Sequence, residues 1–137
     1  MVAAVCGWHE RHPPVVRAIE QRLARGDTLV VAVHALVETY AVLTRLPAPH
    51  RLSPADAWAL VKANFVEGAR LAALDGGGHV AMLDDLARDG RGGGRTYDAL
   101  IAASIAAARV PVVLTLNPRH FDPAPTGVKV IEPAGTT

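Results

Sequence analysis

Glu38, Asp98 and Asn117 are the residues whose types and settings could act on a charged substrate. Asp98 opens an apolar-faced segment, RTYDALIAASIAAA, and Glu38 holds a similar place in HALVETYAVLTRL. Asn117, with Thr115 two positions before it, leaves the apolar run VVLTL. In an open α/β sheet, helix N-termini and the C-terminal ends of strands share one rim, and ligands bind there. Carboxylates gathered on such a rim suit a hard cation such as Mg²⁺, which takes oxygen ligands and keeps several waters. An ion held there can activate water and stabilise the charge building on a phosphodiester under attack. The helix dipole also favours Asp and Glu in a first turn, so position alone leaves a structural role open.

The elements that must position these residues follow from the patterning. Thr96 is the expected N-cap of the helix carrying Asp98, with Ala99, Leu100, Ile101, Ala103, Ile105 and Ala108 on its apolar face. Pro111 stops that helix, and Val112 to Leu116 read as a buried strand. Earlier in the chain, Met1 to Trp8 is ambiguous between strand and helix, and Val15 to Arg25 reads as a helix stopped by Gly26. Thr28 to Val33 is a second buried strand, and His34 to Leu46 a helix ended by Pro47 and Pro49. Ser53-Pro54-Ala55-Asp56 opens a helix reaching about Val66. Leu71 to Leu74 is a weak strand, Gly78 to Asp89 a helix, and Val128 to Ile131 an edge strand. This alternation predicts an α/β fold, a parallel central sheet covered by helices, in one domain over 1–137.

Composition narrows the class. The chain has 137 residues, 50% hydrophobic but only 4% aromatic, so its core must be built from Ala, Val and Leu. The net charge of +1 neither demands nor excludes nucleic acid, because a local basic patch can sit inside a neutral total. The single cysteine, Cys6, excludes an internal disulfide and suits a reducing cytoplasm. No apolar run approaches the roughly 18 residues of a membrane span, so a cytoplasmic location without membrane association is expected.

Three segments carry a family resemblance: VETYAVLTRLP (Val37 to Pro47), GGRTYDALIAA (Gly93 to Ala103) and LTLNPRHF (Leu114 to Phe121). In this order they resemble the PIN-domain ribonucleases of the VapC toxin type, and the likeness extends over essentially the whole chain, including HRLSP at His50 to Pro54. The resemblance implies a three-layer α/β/α sandwich and a Mg²⁺- or Mn²⁺-dependent endoribonuclease. It also implies RNA as substrate, a VapB-like antitoxin as partner, and a homodimer. Cleavage in this family would leave a 5′-phosphate and a 3′-hydroxyl. Carried over residue by residue, the second acidic position falls on Glu38 and the third on Asp98, the pair expected to hold metal. The fourth falls on Asn117, where Asn stands in place of the more usual Asp and adds no negative charge. Thr115 beside it and Arg95 are the expected substrate contacts, with Arg91 and Arg119 as further candidates for the RNA backbone.

The resemblance fails at the front. The family opens with a strand ending in an Asp-Thr/Asn-Ser/Asn motif, and MVAAVCGW resembles the short helix after it. The expectation is that the first strand and its Asp lie upstream of Met1, which reading the upstream DNA would test. The alternative is a catalytically impaired PIN-like binding protein that keeps antitoxin or RNA binding. A doubly wound nucleotide-binding domain is a weaker one. Other constellations point elsewhere only faintly. His9, Glu10 and His12 lack the second cluster a zinc site needs. The two Gly-Gly-Gly runs lack the endings of phosphate loops and read as turns.

Overall fold

The computed structural model describes residues 1–134, which form two compact units: Met1–Leu71 joined by the C-terminal residues from Pro133, and Ala72–Glu132.

The first unit begins with the helix α1 (Val2–Val5), which settles the ambiguous opening segment as helical, and α2 (His12–Ala24). Prolines in the first turn of α2 remove backbone donors that have no helical partner anyway, and Gly26, at φ +87, takes the left-handed turn that ends the segment. Strand β1 (Val30–Ala32) runs without a loop into α3 (Val33–Arg45), with Ala32 in extended conformation as its cap. The strand is shorter than Thr28 to Val33 because the helical bonds begin at Val33. Helix α4 (Pro54–Phe65) starts as the sequence predicts: the Asp56 N–H donates to Ser53 Oγ at 3.1 Å, and the Ser53 hydroxyl donates back to Asp56 Oδ2 at 2.7 Å. The core of this unit joins Leu36 and Leu43 of α3 to Ala57, Val61 and Phe65 of α4, with Cys6 and Val31. The four-residue spacing of the α4 set places one side chain per turn against α3. Strand β2 (Arg70–Ala72) pairs with β1, and the Arg70 N–H donates to the Leu29 carbonyl at 2.9 Å.

The second unit carries α5 (Gly76–Arg88), α6 (Arg95–Ala107), β3 (Val112–Leu114), a 3₁₀ turn over Pro118–Phe121, and β4 (Lys129–Ile131). Helix α5 starts two residues before the expected Gly78. Asp75 caps it, accepting the Gly78 N–H at 2.7 Å, so Gly76-Gly77-Gly78 is a first helical turn and no free loop. At Gly78 a Cβ would lie 3.2 Å from both the Leu74 Cβ and the capping carboxylate, which explains the small residue there. Helix α6 likewise begins early, at Arg95 after Gly94 as N-cap, with no side-chain cap; Thr96, the expected cap, is inside the first turn and donates its N–H to the Gly93 carbonyl at 3.1 Å. Its end is a wound-back turn in which Arg109, at φ 54, lets the Val110 N–H reach the Ile105 carbonyl at 3.2 Å.

Strands β3 and β4 pair in parallel as the alternating pattern predicts, with Val112, Val113 and Leu114 opposite Lys129, Val130 and Ile131. The Thr115 N–H extends the ladder to the Ile131 carbonyl at 3.0 Å. Leu116, expected in the strand, lies past it because the chain turns at Asn117. Among the described residues the strands thus form two two-stranded sheets.

Candidate functional site

Asp98 lies in the first turn of α6 but takes no part in capping it, so its carboxylate is available for other work. It is partly buried, with 26% of the side chain exposed, and its Oδ1 lies 3.0 Å from Nδ1 of His120. The partner arrives by a short route. Beyond β3 the Asn117 N–H donates to Thr115 Oγ1 at 3.0 Å, which turns the chain. Pro118 then starts the 3₁₀ turn, and the His120 N–H donates to the Asn117 carbonyl at 3.0 Å. Three residues per turn bring the His120 side chain back toward α6, against which this turn packs.

Of the residues singled out from the sequence, Arg95, Asp98, Thr115 and Asn117 fall in the second unit. Thr115 and Asn117 are joined by the bond just described, and Asp98 is joined to the same turn through His120. Arg95 is the exposed first residue of α6. Glu38 belongs to the first unit, on the outer side of α3, where its carboxylate lies 3.4 Å from His34 Nε2 and is half exposed. Sequence reasoning missed His120, for which no local pattern gives a signal.

The oxygen donors of Asp98 fit a hard cation in kind. His120 Nδ1 lies beside the Asp98 Oδ1, and Asn117 precedes the same turn. In number they fit only an ion that keeps most of its waters, as Mg²⁺ does when held through one or two carboxylates. Among the described residues, no group of three or more His, Cys, Asp or Glu is gathered closely enough to hold a metal. The His9–His12 cluster has a structural explanation: His9 Nδ1 accepts the Arg11 N–H at 3.1 Å, and His12 Nδ1 lies 2.9 Å from the Ala3 carbonyl. The aromatic residues divide as well. Phe65 is core, whereas Trp8 is half exposed and stacks on His50 with ring centres 4.2 Å apart. Among the described residues, no helix is long and apolar enough to cross a membrane.

Residues 1–124 match the family described as the PIN domain. Ribonuclease VapC40 of Mycobacterium tuberculosis is 41% identical over 108 residues, covering 79% of this chain and 75% of that protein. Ribonuclease VapC27 of the same organism is 42% identical over 76 residues, 56% of this chain and 53% of that protein. The crystal structure of Mycobacterium tuberculosis VapC20, described as a sarcin-ricin-loop-cleaving toxin, superposes with a TM-score of 0.66 at 19% identity. It covers 93% of this chain and 92% of its own, a likeness of fold.

Proposed function

The chain belongs to the PIN-domain family as a VapC-type ribonuclease, and on that footing we propose that it is a Mg²⁺- or Mn²⁺-dependent endoribonuclease serving as the toxin of a toxin–antitoxin pair. The observation that carries this reading is the partly buried Asp98 carboxylate, left uncommitted by the helix it opens and facing the turn that leaves β3. Asp98 would hold the ion through Oδ2. When bound, the ion supplies Lewis acidity, lowering the pKa of a water and stabilising charge on the phosphodiester. Glu38 is a second acidic residue on which cleavage depends. The Asn117 amide orients a water or a phosphate oxygen without adding charge. Thr115 Oγ1 already accepts the Asn117 N–H, so its own proton is left to donate to a phosphate oxygen. The exposed Arg95 guanidinium meets the RNA backbone, with a salt dependence to match.

A VapB-like antitoxin would restrain the enzyme, and the active species would be a cytoplasmic homodimer. Purified chain should cleave RNA only with Mg²⁺ or Mn²⁺, leaving 5′-phosphate ends, and Asp98→Asn or Glu38→Gln should abolish cleavage while the fold is kept. Cleavage undiminished in Asp98→Asn would refute the assignment. Asn117 in place of Asp favours a second reading, a PIN-like binding protein that does not cut. Intact RNA together with retained antitoxin binding in the wild-type chain would select it.

A further inference from the structure

We propose that the ring stack of Trp8 and His50 is a docking platform for an unpaired base of single-stranded RNA, with the Arg51 guanidinium meeting the adjoining phosphate. The proposal rests on the reading of the chain as a ribonuclease and names the form of RNA it holds, at residues outside the acidic set.

Two turns of the first unit, far apart in sequence, bring the rings together. In one, the His9 N–H donates to the carbonyl of the buried Cys6 at 2.9 Å, which ties the turn carrying Trp8 to the core. In the other, the His50 N–H donates to the Pro47 carbonyl at 3.0 Å, and the Leu52 N–H to the carbonyl of the buried Leu43 at 3.1 Å. The indole and imidazole are stacked, with centres 4.2 Å apart and planes 26° from parallel. Stacking inside a fold takes aromatic surface out of water, but here Trp8 stays 50% exposed and His50 is exposed as well. Rings fixed in place yet open to solvent offer what a nucleobase needs, a π-face that binds without reorganisation. The surrounding charge suits the backbone of the same strand. Over residues 8–12 and 45–51 the cations Arg11, Arg45 and Arg51 stand against a single acid, Glu10. Arg51 directly follows His50, and its Nε donates to the Leu46 carbonyl at 2.8 Å, which steadies the guanidinium while its terminal N–H groups can meet a phosphate. A base inside a duplex is already stacked on its neighbours, so the platform selects unpaired RNA.

The test measures binding of an oligoadenylate of about ten nucleotides to the full chain in EDTA, where no free divalent cation supports cleavage. Affinity is read from the anisotropy of a labelled strand. The chain has two tryptophans, so a Trp58→Phe background leaves Trp8 as the sole indole emitter. Trp8 emission should be quenched as oligoadenylate binds. Trp8→Ala should weaken that binding roughly 5- to 150-fold, the range expected for one base–aromatic stack, and Trp8→Phe, which keeps a ring, far less. Affinity for a G·C-rich RNA duplex of the same length should be unchanged in both variants. Trp8 emission untouched at saturating oligoadenylate, no binding of the strand by the wild type, or equal losses for strand and duplex in Trp8→Ala overturns the proposal. The quenching arm leaves Trp8 in place, so it decides the matter even if Trp8→Ala fails to fold. The two readings fail separately. A chain whose Trp8 is quenched by oligoadenylate but which never cleaves with Mg²⁺ or Mn²⁺ removes the ribonuclease reading and keeps the platform. Cleavage by a chain whose Trp8 is not quenched removes the platform alone.

Discussion

Leu43→Ala tests whether the first unit is held together where the structure says it is. Leu43 lies on α3 with 0% of its surface exposed, against Ala57 and Val61 of α4, both also at 0%. Trimming it to Ala removes roughly three methylene equivalents, about 2.4 kcal/mol at ~0.8 kcal/mol each. The space left behind is walled by two helices that cannot close fully, and the residual cavity raises the cost to about 3–4 kcal/mol. For a chain of this size that amounts to roughly 10–20 °C in melting temperature. The assay is urea unfolding followed by circular dichroism, with Leu83→Ala as control. Leu83 is on α5 and 51% exposed, and its loss should cost under about 0.5 kcal/mol. The buried residues Leu36, Thr39 and Leu43 define one side of α3, whereas Glu38 points away from it. Leu43→Ala should therefore lower stability and leave cleavage per folded molecule unchanged well below the melting point. A cost below about 1 kcal/mol, or one no greater than that of Leu83→Ala, would refute the placement of the core.

Ser53→Ala removes the reciprocated cap of α4 and should cost about 1 kcal/mol in the same unfolding assay, with Ser53→Gly milder. Thr39→Val should be near neutral, within about 0.5 kcal/mol, because the buried hydroxyl bonds only to the Ala35 carbonyl of the preceding turn, which keeps its helical partner. Burial pushes the Cys6 thiol above its ordinary value of 9.0. A raised folded pKa means that the stability this thiol confers is complete below the ordinary value and is lost as pH rises from there through the raised one. Melting temperature against pH should fall less on the alkaline side in Cys6→Ala, and alkylation of the folded wild type at neutral pH should be far slower than of the unfolded chain.

The order and type of the elements were legible because each has a local cause. Ser53-Pro54 and Asp56 specify the start of α4 almost alone, and Pro111 separates α6 from β3. What patterning missed were ends set by backbone groups that carry no side-chain signature. The start of α6 depends on the Gly93 and Gly94 carbonyls accepting the Thr96 and Tyr97 N–H groups, so a hydroxyl at Thr96 looked like a cap and was not one. Asp75 shows the converse. Its carboxylate is a cap, but the glycines after it hide where the helix begins, placing the expected start at Gly78 instead of Gly76, since glycine is a poor helix former.

The candidate site was legible residue by residue but not as an arrangement. Asp98 and Asn117 could be found because strand ends and helix starts are visible in sequence, and those are where sheet chemistry gathers. His120 could not, since nothing about a histidine six residues past a strand says whether it faces solvent or returns. Its return depends on three successive backbone conditions: the Thr115 hydroxyl accepting the Asn117 N–H, Pro118 fixing the first φ of the turn, and the Asn117 carbonyl accepting from His120. Each is a weak local preference, and only together do they carry the imidazole to within 3.0 Å of Asp98. The conformation of LTLNPRHF therefore depends as much on the bonds of its turn as on the residue at its strand end. Replacing Pro118 by a residue free in φ would be expected to loosen His120 from Asp98 without touching either side chain.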